Sequence, residues 1–164
     1  MIKLLILDMD GVMTDGTKTY NLEGEVISKA FYDHDFSAIK KFKADSLQVC
    51  FLSGDRRVNE KVAQNRKIDF YHSEAGSDKV DLLTMLCDKY EVLPAEIAYV
   101  GDDVLDSRIM ESVGFPYCPA NAANEIAEIC LKRGKILSRN AGSGVIDELY
   151  FFLKNHDNET RANW

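Results

Sequence analysis

Polar residues at the ends of three apolar runs set the chemistry that this chain could perform. Asp8 and Asp10 follow an apolar run, Ser53-Gly54 follows a second, and Asp102-Asp103 follows a third, with Asp106 close behind. Lys79 stands after Gly76-Ser77-Asp78, where a helix could begin. Carboxylates, a hydroxyl and an amine suit phosphoryl transfer if they meet at one point. A carboxylate can attack phosphorus and form an aspartyl-phosphate, splitting one hard step into two easier ones. A second carboxylate two residues on can protonate the leaving oxygen and then activate water. Clustered acids repel one another and the substrate unless a hard cation lies between them, and magnesium prefers oxygen ligands. Ser53 and the amides around Gly54 could hold phosphoryl oxygens, and Lys79 could offset charge on the phosphate and nucleophile.

Each residue also has a plainer use. Asp and Ser cap helices and shape turns, so Ser53, Asp103 and Asp106 could serve only there. A lone Lys79 could be a solvated amine. His34 and His72 have no partner at ligand spacing.

The elements that would bring these residues together are legible as an alternation. Ile2–Leu7, Leu47–Leu52 and Ile97–Val100 read as short buried strands, apolar on both faces. Helical stretches are expected over Phe36–Ala44, Arg57–Lys67, Lys79–Tyr90, Leu105–Val113, Ala122–Arg133 and Gly144–Lys154. This predicts an α/β fold, a Rossmann-like three-layer sandwich around a central parallel sheet. Ligands in such sheets bind outside the carboxyl ends of the strands, which is where the acids stand. Thr17–Tyr20 and Val26–Phe31 flank the turn residues Asn21–Gly24 and predict a β-hairpin inserted after strand 1, over 17–31. The expected organisation is one domain over 1–154 with no cap domain, then a polar, loosely ordered tail over 155–164.

Composition narrows the classes further. With 164 residues, 46% hydrophobic and 29% charged, the chain reads as globular. Its net charge of −7 argues against a nucleic-acid surface. The longest apolar runs are too short to span a bilayer, and no signal peptide is expected. Cys50, Cys87, Cys118 and Cys130 form no CxxC pair and read as reduced thiols of a cytoplasmic protein.

The ordered set Asp8-Met9-Asp10-Gly11-Val12 with Thr14-Asp15-Gly16, then Ser53-Gly54, Lys79, and Gly101-Asp102-Asp103 with Asp106 resembles the haloacid dehalogenase-like phosphatases. The short chain, the hairpin and Gly142-Ser143-Gly144 resemble the capless 3-deoxy-D-manno-octulosonate 8-phosphate phosphatase family, including its nonulosonate 9-phosphate relatives. The resemblance implies a Mg2+-dependent hydrolase of a sugar acid phosphate used in surface-glycan synthesis. It further implies a homotetramer whose hairpins pack together. By position, Asp8 would be nucleophile and metal ligand. Asp10 would be the acid–base and offer its backbone carbonyl to the metal. Asp102 would complete the ligands, with Asp103 and Asp106 in support. Asp10, Ser53, Gly54, Asp55, Arg56, Arg66, Lys79 and His34 are the substrate-binding candidates. Asp55 stands where the octulosonate enzymes carry an arginine, and with Arg66 it resembles the nonulosonate branch. His34-Asp35-Phe36 and Ala141–Glu148 also depart from the octulosonate pattern. Two rival readings are a receiver-type signalling module that holds a phospho-Asp, and a catalytically idle scaffold.

Overall fold

The computed structural model describes residues 1–161; side chains are described through Asn155. A six-stranded parallel sheet runs β5-β4-β1-β6-β7-β8, with β1 Leu4–Leu7, β4 Gln48–Ser53, β5 Asp69–His72, β6 Ile97–Val100, β7 Phe115–Cys118 and β8 Lys135–Ile136. Counting only these strands, the order is 3-2-1-4-5-6, the doubly wound order with its reversal beside strand 1. A receiver-like sheet would run 2-1-3-4-5. Here the third strand, β5, is an edge, so no central strand supplies that module's phosphoacceptor.

The register explains why the first strand is apolar throughout. Leu4 to Leu7 pair with Gln48 to Phe51 on one side and with Ile97 to Val100 on the other. Leu5 and Leu7 face a core that includes Phe36, Ile39, Phe51 and Leu149. Leu4 and Ile6 face the opposite core, which holds Leu86, Tyr99, Ile109 and Ile126. Alternate side chains therefore serve two layers, and all four are fully buried. Each contributes about 1.5–3 kcal/mol of hydrophobic stabilisation. The first layer includes α1 (Asp33–Ala44), α2 (Arg57–Arg66) and α6 (Val145–Arg161); the second includes α3 (Leu83–Tyr90), α4 (Ser107–Ser112) and α5 (Asn124–Arg133).

Where sequence and structure differ, local chemistry accounts for most of the difference. The helix expected over 79–90 begins as a 3-10 turn, Lys79–Leu82, capped by Asp78. The one expected over 105–113 begins likewise at Val104–Asp106, capped by Asp103. Strands β5, β7 and β8 have no counterpart in the sequence reading. Two of them sit at the sheet edges, β8 has two residues, and β7 contains Pro116, which ordinarily argues against a strand. The tail over 155–164 was expected to be loosely ordered. Instead α6 continues to Arg161, because no Gly or Pro interrupts the chain after Gly144. Residues 162–164 lie outside the described residues.

The two short strands β2 (Thr19–Tyr20) and β3 (Val26–Ser28) pair antiparallel as a sheet of their own. Asn21 organises their turn, its Oδ1 accepting from the amides of Glu23 at 3.1 Å and Glu25 at 2.8 Å. Among the described residues no helix is long and apolar enough to cross a membrane.

Candidate active site

A cleft of about 1090 Å³ opens at the carboxyl ends of β1, β4 and β6. Asp8 continues β1, its amide donating to Val100 O at 3.0 Å. The chain then turns tightly, with the amides of Met13 and Thr14 both reaching Met9 O. Gly11 makes this turn possible at φ +84°, and a Cβ there would land on the Asp102 carboxylate. The first acidic loop and the β6 acids are thus in direct apposition.

Asp8 is 6% exposed and Lys79 7%, so their ion pair is almost dry. Asp8 Oδ1 accepts from Met9 N at 2.8 Å and faces Lys79 Nζ at 3.1 Å. Lys79 also donates to Asp106 Oδ1 at 2.7 Å. Asp106 is fully occupied: Tyr99 OH donates to Oδ1 at 2.6 Å, and the amides of Asp102 and Asp103 donate to Oδ2. It orients the amine and the loop instead of facing the cleft. Asp103 accepts from Val104 N and caps the turn.

The balance of charge leaves room for a cation. Asp8 and Asp106 pair with one ammonium, Lys79, and Asp102 also lies within its field. Ligand atoms of Asp8, Asp102 and Asp106 lie within 4.8 Å of one another. Asp106 is committed elsewhere, but Asp102 Oδ1 is buried with no hydrogen-bond partner. Burial pushes the Asp8 carboxyl well above its ordinary range; Lys79 opposes this, while Asp106 and Asp102 add to it. Burial, then the charges of Asp106 and Asp103, push Asp102 up to about 7. Such a donor set fits a divalent cation between Asp8 and Asp102. Burial tends to lower Lys79, but Asp8 and Asp106 outweigh it and hold the amine charged.

A second cluster surrounds Asp10 and Lys29. Both oxygens of Asp10 are 2.8 Å from Lys29 Nζ, and Oδ2 also accepts from Asn59 Nδ2 at 3.1 Å. Lys29 also donates to Asp55 Oδ2 at 2.8 Å and Asn59 Oδ1 at 3.0 Å. Asn59 donates onward to Ser53 Oγ at 3.0 Å, and Asp55 N donates to the same oxygen at 3.2 Å. Lys18 lies 3.2 Å from Asp55 and 3.7 Å from Asp10 and lines the cleft. Burial works to raise Asp55, but Lys29 and then Lys18 outweigh it and hold the carboxyl below its ordinary value.

Of the residues singled out from sequence, Asp8, Asp10, Ser53, Gly54, Asp55, Lys79, Asp102 and Asp103 line this cleft. Three substrate candidates do not. Arg66 lies over the Phe36 ring at 4.2 Å and donates to Asp33 at 3.0 Å. It ends α2, and one helix length carries it away from Asp55 at the other end. Arg56 is paired along its own helix with Glu60 at 2.7 Å, and His34 lies beside the Tyr32 ring. Conversely, Lys18, Lys29, Asn59 and Tyr99 were not anticipated. No local pattern marks them: Lys29 meets Asp10 only because the hairpin folds back across 19 residues.

The chain belongs to the haloacid dehalogenase-like hydrolase family, whose model matches residues 17–149. Within that family it is similar to 3-deoxy-D-manno-octulosonate 8-phosphate phosphatase KdsC. It is 31% identical to the Escherichia coli protein over 151 residues, covering 90% of this chain and 77% of that one. With the Salmonella typhi protein it shares 33% identity over 123 residues, 74% of this chain and 64% of the relative, so that match spans just under two thirds of the relative's length. A solved structure of the cobalt-bound phosphatase from Haemophilus influenzae superposes with a TM-score of 0.81. It is 28% identical, and the match covers 91% of this chain and 85% of that one.

Proposed function

We propose that the chain is a Mg2+-dependent phosphatase acting on a 2-keto-3-deoxy sugar acid phosphate, with 3-deoxy-D-manno-octulosonate 8-phosphate the first candidate and a nonulosonate 9-phosphate the second. The observation that carries this reading is the meeting of Asp8, Lys79, Asp102 and Ser53 at one cleft from four separate segments.

Asp8 attacks phosphorus, forming the P–O bond of an aspartyl-phosphate as the bond to the sugar oxygen breaks. Asp10 gives its proton to that departing oxygen, and then takes a proton from the water that attacks the aspartyl-phosphate. Inorganic phosphate leaves and Asp8 is restored. Ser53 Oγ and the amides beside it hold phosphoryl oxygens, while Lys79 balances charge on Asp8 and the phosphoryl group. Asp8, Asp102 and the Asp10 carbonyl would hold Mg2+. When bound, the cation supplies positive charge that ionises the carboxylates and draws electron density from a phosphoryl oxygen. The cobalt in the Haemophilus relative supports a divalent ion there.

The leaving-group side supports an acidic sugar. Lys18 sits beside Asp10, so a carboxylate on the departing sugar would meet a cation. The names of the Escherichia coli and Salmonella relatives favour the eight-carbon acid. A homotetramer is part of the proposal, supported by the exposed Tyr20, Leu22 and Ile27 on the hairpin. The unpaired cysteines suit a reducing cytoplasm.

The test is kcat/KM on a panel of eight-carbon and nine-carbon keto-acid phosphates, with Asp8→Asn alongside. Octulosonate 8-phosphate should lead, and Asp8→Asn should be inactive on all. Undiminished turnover by the variant refutes the assignment of Asp8.

A further inference from the structure

We infer that Lys29 is a positioning residue for the acid–base carboxylate, so that the hairpin is part of the catalytic apparatus; this rests on Asp10 having the role proposed above. The Lys29 side chain is 0% exposed, although it belongs to a hairpin whose other side chains are mostly solvated. Its ammonium has three N–H groups. They meet three acceptor residues: Asp10, Asp55 and Asn59. A buried ammonium stripped of its anions is strongly unfavourable, so this arrangement is rigid.

The amide of Asn59 extends the arrangement to the phosphate side. Its oxygen accepts from Lys29, while its nitrogen donates to Asp10 Oδ2 and Ser53 Oγ. The reverse orientation would set its NH2 against an ammonium. Asp10 stands on a loop and would otherwise be free to rotate about two side-chain torsions. Lys29 and Asn59 together hold both its oxygens and tie them to the serine that contacts phosphate. Small displacements of an acid–base group are costly, and holding it fixed is what a supporting residue contributes. A mere clip for the hairpin would not need to end on the carboxylate.

The two roles separate by leaving group. The ratio kcat/KM covers steps only through departure of the leaving group. An alkyl oxygen needs a proton at that point; p-nitrophenolate does not. Mg2+-loaded Lys29→Met should lose about 100-fold in kcat/KM on a sugar phosphate, but less than about tenfold on p-nitrophenyl phosphate. Lys29→Arg should recover part of the loss. Equal losses on both substrates, or no loss on either, overturn the inference. If Lys29→Met does not fold, Lys29→Gln is measured in the same way. If the wild-type protein turns over neither substrate, the phosphatase reading fails by itself. The crystal structure of the variant then decides Lys29: an Asp10 carboxylate displaced from Asn59 supports its role, and an unmoved one overturns it.

Discussion

Lys79 Nζ stands 3.1 Å from Asp8 Oδ1 and is the only cation in contact with that carboxylate among the described residues. The contact is almost dry, so the amine is more than a general positive field. It fixes which oxygen of Asp8 is engaged and offsets part of the charge of Asp8, Asp106 and Asp102. Lys79→Met removes that cation and leaves Asp8 among like charges. We expect kcat to fall at least about 100-fold, the scale of losing a preorganised charge partner. Steady-state kinetics with saturating Mg2+ measure it.

Asp106 acts through what it holds. Its four partners are Lys79, Tyr99 and two loop amides. Asp106→Ala leaves the buried Tyr99 hydroxyl without its acceptor and Lys79 with Asp8 alone, and breaking such a buried pair costs about 3–5 kcal/mol. Urea unfolding should show a lower midpoint at an unchanged slope. Asp106→Asn keeps the shape and should fall between the two.

The raised carboxyls make metal binding and pH compete. For Asp102 the folded value is about 7 against an ordinary 3.8, so the folded metal-free protein binds the extra proton between those limits. Stability from this group is therefore complete below the lower value and is lost as pH rises through the upper one. Asp8 shifts in the same direction. Asp55, held low, has the opposite sign, but its effect falls below its ordinary value and does not overlap this window. On the proposed function, Mg2+ would supply the missing positive charge. The rise in Tm on adding Mg2+ should be larger near pH 8 than near pH 5.5, and Asp102→Asn should flatten that difference.

Gly11 backs directly onto the Asp102 carboxylate. In Gly11→Ala the new methyl meets the Asp102 carboxylate, and φ +84° is strained for any other residue. Weaker Mg2+ binding is expected by calorimetry, with a small change in Tm because the sheet below is untouched.

Leaving-group recognition separates Lys18 from Arg66. Lys18 lines the cleft beside Asp10, while Arg66 lies over Phe36. Lys18→Met should raise KM for a sugar acid phosphate more than for p-nitrophenyl phosphate, which carries no carboxylate. Arg66→Ala should change that ratio less than Lys18→Met does.

The convergence of Asp8, Ser53, Lys79 and Asp102 on one cleft was legible in the sequence, and the cluster around Lys29 was not. Asp8, Ser53 and Asp102 each follow a run of buried strand residues, and parallel sheets bring strand ends together. Their convergence therefore follows from periodicity. Lys79 could be placed because it opens a helix that the same topology carries to that end. Lys29 and Asn59 depend on how a hairpin lies against a helix start, which no periodicity encodes. Arg66 lies outside this cleft for a related reason. Helix α2 separates it from Asp55 and brings it to the Phe36 ring and Asp33. The edge strands β5 and β8 lacked the two-sided apolar pattern because an edge is buried less.

The central claim is that phosphate passes through Asp8, and the most direct measurement is where labelled phosphate resides in acid-quenched Asp10→Asn protein. Without its acid–base carboxylate the protein can still expel p-nitrophenolate, but it hydrolyses the intermediate slowly. Given labelled p-nitrophenyl phosphate and Mg2+, it should release p-nitrophenolate in a burst, with matching label on the peptide that contains Asp8. A burst with no label on that peptide would contradict the account.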